Sequence, residues 1–180
     1  MPTIMTHAVV GLGLGRVFTR RQMPPRFWAL VAVLPMVPDL DVLAFRLGIP
    51  YGAAWGHRGL THSLCFAFLL SLAVAALTCR RLRVPFWDWW GFLFLVAATH
   101  GLLDAFTNGG LGVALFAPFD ETRYFFPWRP IEVSPIGLSF FSAQGGATLA
   151  SEVLWVWLPT AGVVLAVEGA RRLRDARSRR

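Results

Sequence analysis

The apolar run LCFAFLLSLAVAALTC, residues 64–79, ends on Arg80, Arg81 and Arg83, and the chain repeats this arrangement. Five apolar segments span residues 4–18, 27–45, 62–79, 86–106 and 149–169. Segments of this length satisfy their own backbone hydrogen bonds as helices, which is what a hydrocarbon environment demands. Only 15% of the residues are charged and 56% are hydrophobic, whereas a soluble domain carries about 25% charged residues. The expected fold class is therefore all-α: a polytopic membrane bundle of about five helices. A mixed segment rich in Gly, Pro and aromatics, residues 107–148, lies between the fourth and fifth. The first segment is short for a span, and its Gly11, Gly13 and Gly15 suit close helix contact. Pro35 and Pro38 in the second segment and Pro159 in the fifth predict kinks.

Arginine supplies all 17 basic residues, and thirteen of them fall between segments one and two, between three and four, or after five. The positive-inside rule places that side in the cytoplasm. Alternation then puts the N-terminus, the 46–61 loop and the 107–148 segment outside. The organisation expected is one membrane-embedded domain over residues 1–170, with 107–148 as an outer-face loop or lid and 171–180 as a basic cytoplasmic tail. MPTIMTHAVVGLGLGRVFTRR lacks the basic start of a signal peptide, so its helix is expected to be retained. A net charge of +7 invites a nucleic-acid reading. The arginines sit beside apolar runs rather than among exposed aromatics, which excludes nucleic acid as the expected partner.

Polar residues not used by this topology fall at the outer helix ends. They are His7 in segment one, Asp39 and Asp41 of PDLD in segment two, His57 and His62 of HRGLTHS before segment three, and His100 and Asp104 of THGLLDAF in segment four. Helical rise places Asp39 and His7 roughly 20 Å, and His100 and His62 about 25–27 Å, from the arginine-bearing ends. Against a hydrocarbon core about 30 Å thick, these depths define one layer near the outer boundary, where lipid phosphates lie. A lone histidine there is commonly an interfacial hydrogen-bonding residue, and Asp after Pro is commonly a cap. Clustered ionisable groups within spans are costly and need partners. His100 and Asp104 share a helical face at i,i+4. Four histidines with three carboxylates supply the donors for Zn²⁺ or another first-row ion. On a regular helix His57 and His62 would diverge by about 140° and Asp39 and Asp41 by about 200°. One member of each pair is therefore expected to ligate and the other to support it.

PDLD, HRGLTHS and HGLLDAFTNGG together resemble the YdjM-like family of membrane-bound metal-dependent hydrolases, from MTHAVVG through PWRPIEVSP. That family is distantly similar to the all-helical zinc-dependent phospholipase C and P1 nuclease group. The resemblance implies one metal held by a carboxylate of PDLD, a histidine of HRGLTHS, His100 and Asp104, with Asp104 bridging to a second metal near His7. His7 lies six residues into the chain, so a terminal-amine ligand is not expected. With no histidine after His100, the resemblance supports one or two ions, Zn²⁺ the first choice.

The reading that follows is a hydrolase cleaving a phosphate ester of a phospholipid or lipid-linked substrate with metal-activated water. Asp39 or Asp41 would accept the proton. Arg58, Arg123 and Arg129 are candidates to clamp phosphate oxygens. Ion pairing of Arg123 with Asp120, Glu121 or Glu132 is the structural alternative. RYFFPWRPIEV is either an acyl-chain contact or an aromatic belt. The rival class is a non-enzymatic membrane protein binding metal or haem, or transporting metal. Clustered carboxylates disfavour haem, the scarcity of polar residues in segments three and five disfavours transport, and the absence of a His-Glu-x-x-His helix disfavours a protease.

Overall fold

A computed structural model describes residues 1–179. Among them the chain is helical with no strand: α1 Ile4–Phe18, α2 Pro25–Val33, α3 Leu43–Arg46, α4 Leu64–Leu82, α5 Phe86–Ala105, α6 Ala143–Glu152 and α7 Leu158–Arg177. A bundle of about five helical columns results, as the apolar segments predict. Three stretches, Pro25–Arg46, Leu64–Leu82 and Ala143–Arg177, are long and apolar enough to cross a membrane, and Ile4–Phe18 is a shorter apolar helix.

The arginine-bearing ends gather at one end of the bundle. Arg26 donates to the Arg81 carbonyl, Arg171 to the Arg16 carbonyl, and Arg16 pairs with Glu168. The core next to this end is aromatic and aliphatic, with Phe27, Val31, Trp89, Leu93 and Val96 buried. Trp89 Nε1 finds Thr78 Oγ1 at 2.8 Å. Helix α1 reaches this core because of Gly11: a β-carbon there would stand 2.0 Å from the Val31 carbonyl oxygen of α2. The glycine spacing in the first segment thus serves close helix contact, as its sequence predicts.

Both proline-bearing segments depart from regular α-helix, each in its own way. Residues Leu34–Val42 wind as a 3₁₀ helix between α2 and α3. In that geometry the Pro35 carbonyl would accept from residue 38, but Pro38 has no N–H to give. In the fifth segment a π-turn, Val153–Trp157, precedes Pro159 and joins α6 to α7. The basic tail is not separate from this column: α7 stays helical through Arg177. No side chain of α7 is buried, and Leu158, Val163 and Leu165 are exposed, as befits a lipid-facing helix.

At the opposite end of the bundle, the segment after α5 folds back over the helices. Thr107 bridges Ile131 and Val113 bridges Tyr124, and Phe126 N donates to the Ala105 carbonyl at 2.9 Å. Val113 and Leu115 pack with Ala105 under Tyr124 and Phe126. The segment is a folded cover and not a linker.

Candidate metal centre

The residues singled out at the helix ends converge beneath this cover. His7, Arg58, His100 and Asp104 are completely buried, and Asp39, Asp41, His57 and His62 are nearly so. His7 comes from α1, Asp39 and Asp41 from the 3₁₀ turn, and His100 and Asp104 from α5. His57 sits in the turn before α4, and His62 closes the short 3₁₀ helix Leu60–His62. That turn can lie against α5 because residue 101 is glycine: a β-carbon there would meet the His62 carbonyl at 2.4 Å.

One atom each from Asp39, His62, His100 and Asp104 lies within 4.8 Å of the others. His62 Nε2 is 3.7 Å from Asp39 Oδ1 and 3.4 Å from Asp104 Oδ2, and His100 Nε2 is 3.5 Å from Asp39 Oδ1. These separations exceed a hydrogen bond. Ligand atoms about 2.0–2.2 Å from a tetrahedral zinc stand roughly 3.3–3.6 Å apart, close to these three separations. Both oxygens of Asp39 and Asp104, with Nε2 of His62 and His100, are buried without a hydrogen-bond partner. Native interiors rarely tolerate such orphans, and so many in one place suit a bound cation. This buried His/Asp centre is therefore able to hold a metal ion.

The surrounding contacts aim the ligands. His100 Nδ1 donates to the Pro35 carbonyl at 2.7 Å, the acceptor that Pro38 leaves free, so Nε2 faces the centre. Asp41 is not an orphan. It takes His57 Nδ1 at 2.6 Å, Thr61 Oγ1 at 2.7 Å and the Arg58 N–H at 3.2 Å, and lies 3.1 Å from His62 Nδ1. Asp39 thus carries the free oxygens and Asp41 the hydrogen-bonded ones. Asp41, His57 and His62 form a second group with metal-ligand spacing, but hydrogen bonds already hold its carboxylate. His7 stands beside the four-residue set, its ring stacked on His100 at 4.1 Å and Nε2 3.6 Å from Asp104 Oδ1. The amine of Met1 lies nearby: burial lowers its pKa to about 6, against the opposing pull of the Asp104 charge.

The three arginines proposed as phosphate clamps fare differently. Arg58 adopts a left-handed backbone (φ 61°) and lies under the cover, with Nε 3.2 Å from Asp104 Oδ2. Its remaining nitrogens donate to the Gly109 carbonyl and Thr107 Oγ1, both at 2.8 Å. It braces Asp104. Arg123 pairs with none of the expected acids. It donates to the carbonyls of His57, Tyr51 and Ala53 and so pins the turn that carries His57. Arg129 is exposed over the Phe125 ring at 4.8 Å.

Sequence reasoning passed over Glu152, although a carboxylate inside an apolar segment was signal enough. It is fully buried and accepts from Thr3 N–H, Thr3 Oγ1 and Thr6 Oγ1, tying α6 to the start of α1 one turn before His7. The Pro35 carbonyl was also missed, because its availability depends on the 3₁₀ winding. Pro38→Ala tests that role. An N–H at residue 38 would compete for the Pro35 carbonyl, and loss of such an outer partner costs roughly 10–100-fold in metal affinity. Competition with a zinc chelator should register that loss while the helical circular dichroism stays unchanged.

Fold and site together define an all-helical membrane protein with a buried histidine–carboxylate centre able to hold a metal. The comparisons agree with that class. The family model of the YdjM inner membrane protein matches residues 1–173, and the chain belongs to that family. It is 42% identical over 160 residues to "Inner membrane protein YbcI" of Escherichia coli (strain K12), covering 88% of this chain and 92% of that protein. No solved structure matches it significantly.

Proposed function

We propose that the protein is a membrane-bound metal-dependent hydrolase that cleaves a phosphate ester of a phospholipid or lipid-linked substrate. The site would face the outer side of the membrane, with the arginine-rich end and C-terminus in the cytoplasm. The observation carrying this reading is the set of buried, unpartnered ligand atoms on Asp39, His62, His100 and Asp104. When bound, a divalent cation, Zn²⁺ by donor type, supplies a Lewis acid that polarises a phosphoryl oxygen and acidifies water.

The chain's own residues divide the remaining work. Asp39, His62, His100 and Asp104 would hold the cation. Asp104 also turns Oδ1 toward His7, 3.6 Å from its Nε2. Arg58 stands against Asp104 and holds it in place, and the Pro35 carbonyl fixes the tautomer of His100. Asp41 takes Nδ1 of His57, which leaves Nε2 as the basic nitrogen. His57, held by Asp41, joins Asp39 and Asp41 as a candidate proton acceptor. The short connection from Asp41 through Thr61 to His62 holds the two histidines in register.

The test is metal content of detergent-purified protein, prepared without chelators, beside His100→Ala and Asp104→Ala. One or two equivalents of zinc in the wild type, lost in both variants, is the expected result. Phosphate-ester release from phospholipid vesicles should follow the metal. A wild-type protein with no stoichiometric metal would overturn the reading, and metal without hydrolysis would make the centre structural.

A further inference from the structure

A groove of about 400 Å³ opens beside the covered centre. It runs between the first turn of α1, the end of the 3₁₀ segment and the stretch before α6, lined by Met1, Met5, Val42, Ser134, Ile136 and Phe140 among others. The Ser134 N–H donates to the Met1 carbonyl at 2.9 Å, which fastens one wall to the other. No charged side chain lines it. Its rim is apolar and exposed: Ile4 is 49% and Ile136 51% accessible, and Leu138 and Phe141 just beyond are 87% and 85% accessible. Leu40 and Leu43 continue this surface from the other side of Val42. In water such a patch is an aggregation hazard. In a protein of the inner membrane it is continuous with the lipid-facing surface of the spans.

The groove also has a polar end. Val42 directly follows Asp41, Thr3 is held by buried Glu152, and the Met1 amine lies among the charges of Asp104, Arg58 and Asp39. The larger groove walled by Leu64, Cys65, Phe68, Phe94, Phe116 and Phe119, about 430 Å³, has no comparable end. An apolar channel open to lipid on one side and abutting a buried ionic centre on the other fits an amphiphile.

We propose that this groove receives one acyl chain of a membrane phospholipid, entering laterally from the bilayer, and so presents the lipid phosphate to the His/Asp centre. The assignment of the phosphate end rests on the hydrolase reading; the acyl-chain site itself does not. The occupant is a diacyl phospholipid because the groove is apolar along its walls, opens beside exposed Ile4, Ile136 and Leu138, and ends at residues held against buried ionic groups.

The test is photolabelling of the full-length protein in phosphatidylethanolamine–phosphatidylglycerol vesicles, using phosphatidylglycerol with a diazirine midway along one acyl chain. Label is expected on peptides containing Met1–Met5 and Ser134–Phe140, displaced by unlabelled phosphatidylglycerol. Ile136→Trp and Val42→Trp, which fill the groove, should each lower labelling there by roughly ten-fold, the equivalent of about 1.4 kcal/mol of lost affinity. Phe119→Trp, on the other groove, should leave it unchanged. Equal metal content in all three variants shows that the fold survives, and Ile136→Ala, which only widens the groove, should keep its label. Label spread evenly over α4 and α7, or unmoved by both tryptophans, overturns the proposal. Labelling as expected with no phosphate-ester release supports the acyl-chain site and defeats the hydrolase reading. Hydrolysis with label elsewhere does the reverse.

Discussion

Asp104→Ala is expected to strip the centre of metal and to destabilise the fold more than any other single change in it. Asp104 and Arg58 are both completely buried, with Nε and Oδ2 3.2 Å apart. Removing the carboxylate leaves a guanidinium uncompensated in the interior, a loss of about 3–5 kcal/mol. The same substitution deletes one of four ligand atoms and the group facing His7. Asp104→Asn separates the two effects. The amide keeps the shape and offers Arg58 a neutral acceptor, so stability falls less, while metal is still lost. Thermal unfolding in detergent, with and without added zinc, checks both. Wild-type protein should gain about 2.7 kcal/mol at a zinc concentration 100 times its dissociation constant, and neither variant should respond. A zinc-responsive Asp104→Ala would place the metal elsewhere.

The second large effect is expected at Glu152, a residue with no direct role in the centre. Its carboxylate accepts from Thr3 and Thr6 at the start of α1, and Thr6 Oγ1 in turn accepts from Trp157 Nε1 at 2.6 Å. Glu152→Ala leaves three buried donors without an acceptor, at roughly 1–3 kcal/mol for each that finds no water. The π-turn that follows Glu152 would keep only the Trp157–Thr6 bond to α1, and the start of the helix that carries His7 would be held less firmly. Glu152→Gln keeps one acceptor oxygen and should recover about half of the loss. Melting temperature reports the stability change. Zinc stoichiometry tells whether His7 belongs to a second site: a fall from two equivalents to one in Glu152→Ala means that it does. An unchanged melting temperature would mean that α1 is held by its glycine contacts alone.

The PDLD, HRGLTHS and THGLLDAF residues could be gathered into one layer from helical rise and arginine placement alone. That works because bilayer thickness turns sequence distance from an arginine run into depth. His57 and His62, or Asp39 and Asp41, could not be ranked by the same route. Their difference lies in direction around an axis, and neither pair sits on a regular α-helix. The 3₁₀ winding of Leu34–Val42 turns Asp39 to His62 and His100 and Asp41 to His57 and Thr61. The surroundings of Arg58 and Arg123 were not legible for a related reason. A long side chain near a site is a natural phosphate clamp by composition, but Arg123 donates to three backbone carbonyls, and Arg58 donates to Thr107 and Gly109 while its guanidinium lies against Asp104.

By itself, then, the sequence determined the class: a helical membrane bundle with arginines gathered at one end and histidines and carboxylates at the other. Apolar length, charge placement and the cost of burying ions are properties each segment carries alone, so they can be read before any packing is known. The tertiary structure decided which atoms are left without partners. That depends on contacts between residues far apart in the chain, such as His100 on the Pro35 carbonyl or Glu152 on Thr3. A ligand set is defined by what its atoms do not bond to inside the protein, and only the packed arrangement fixes that.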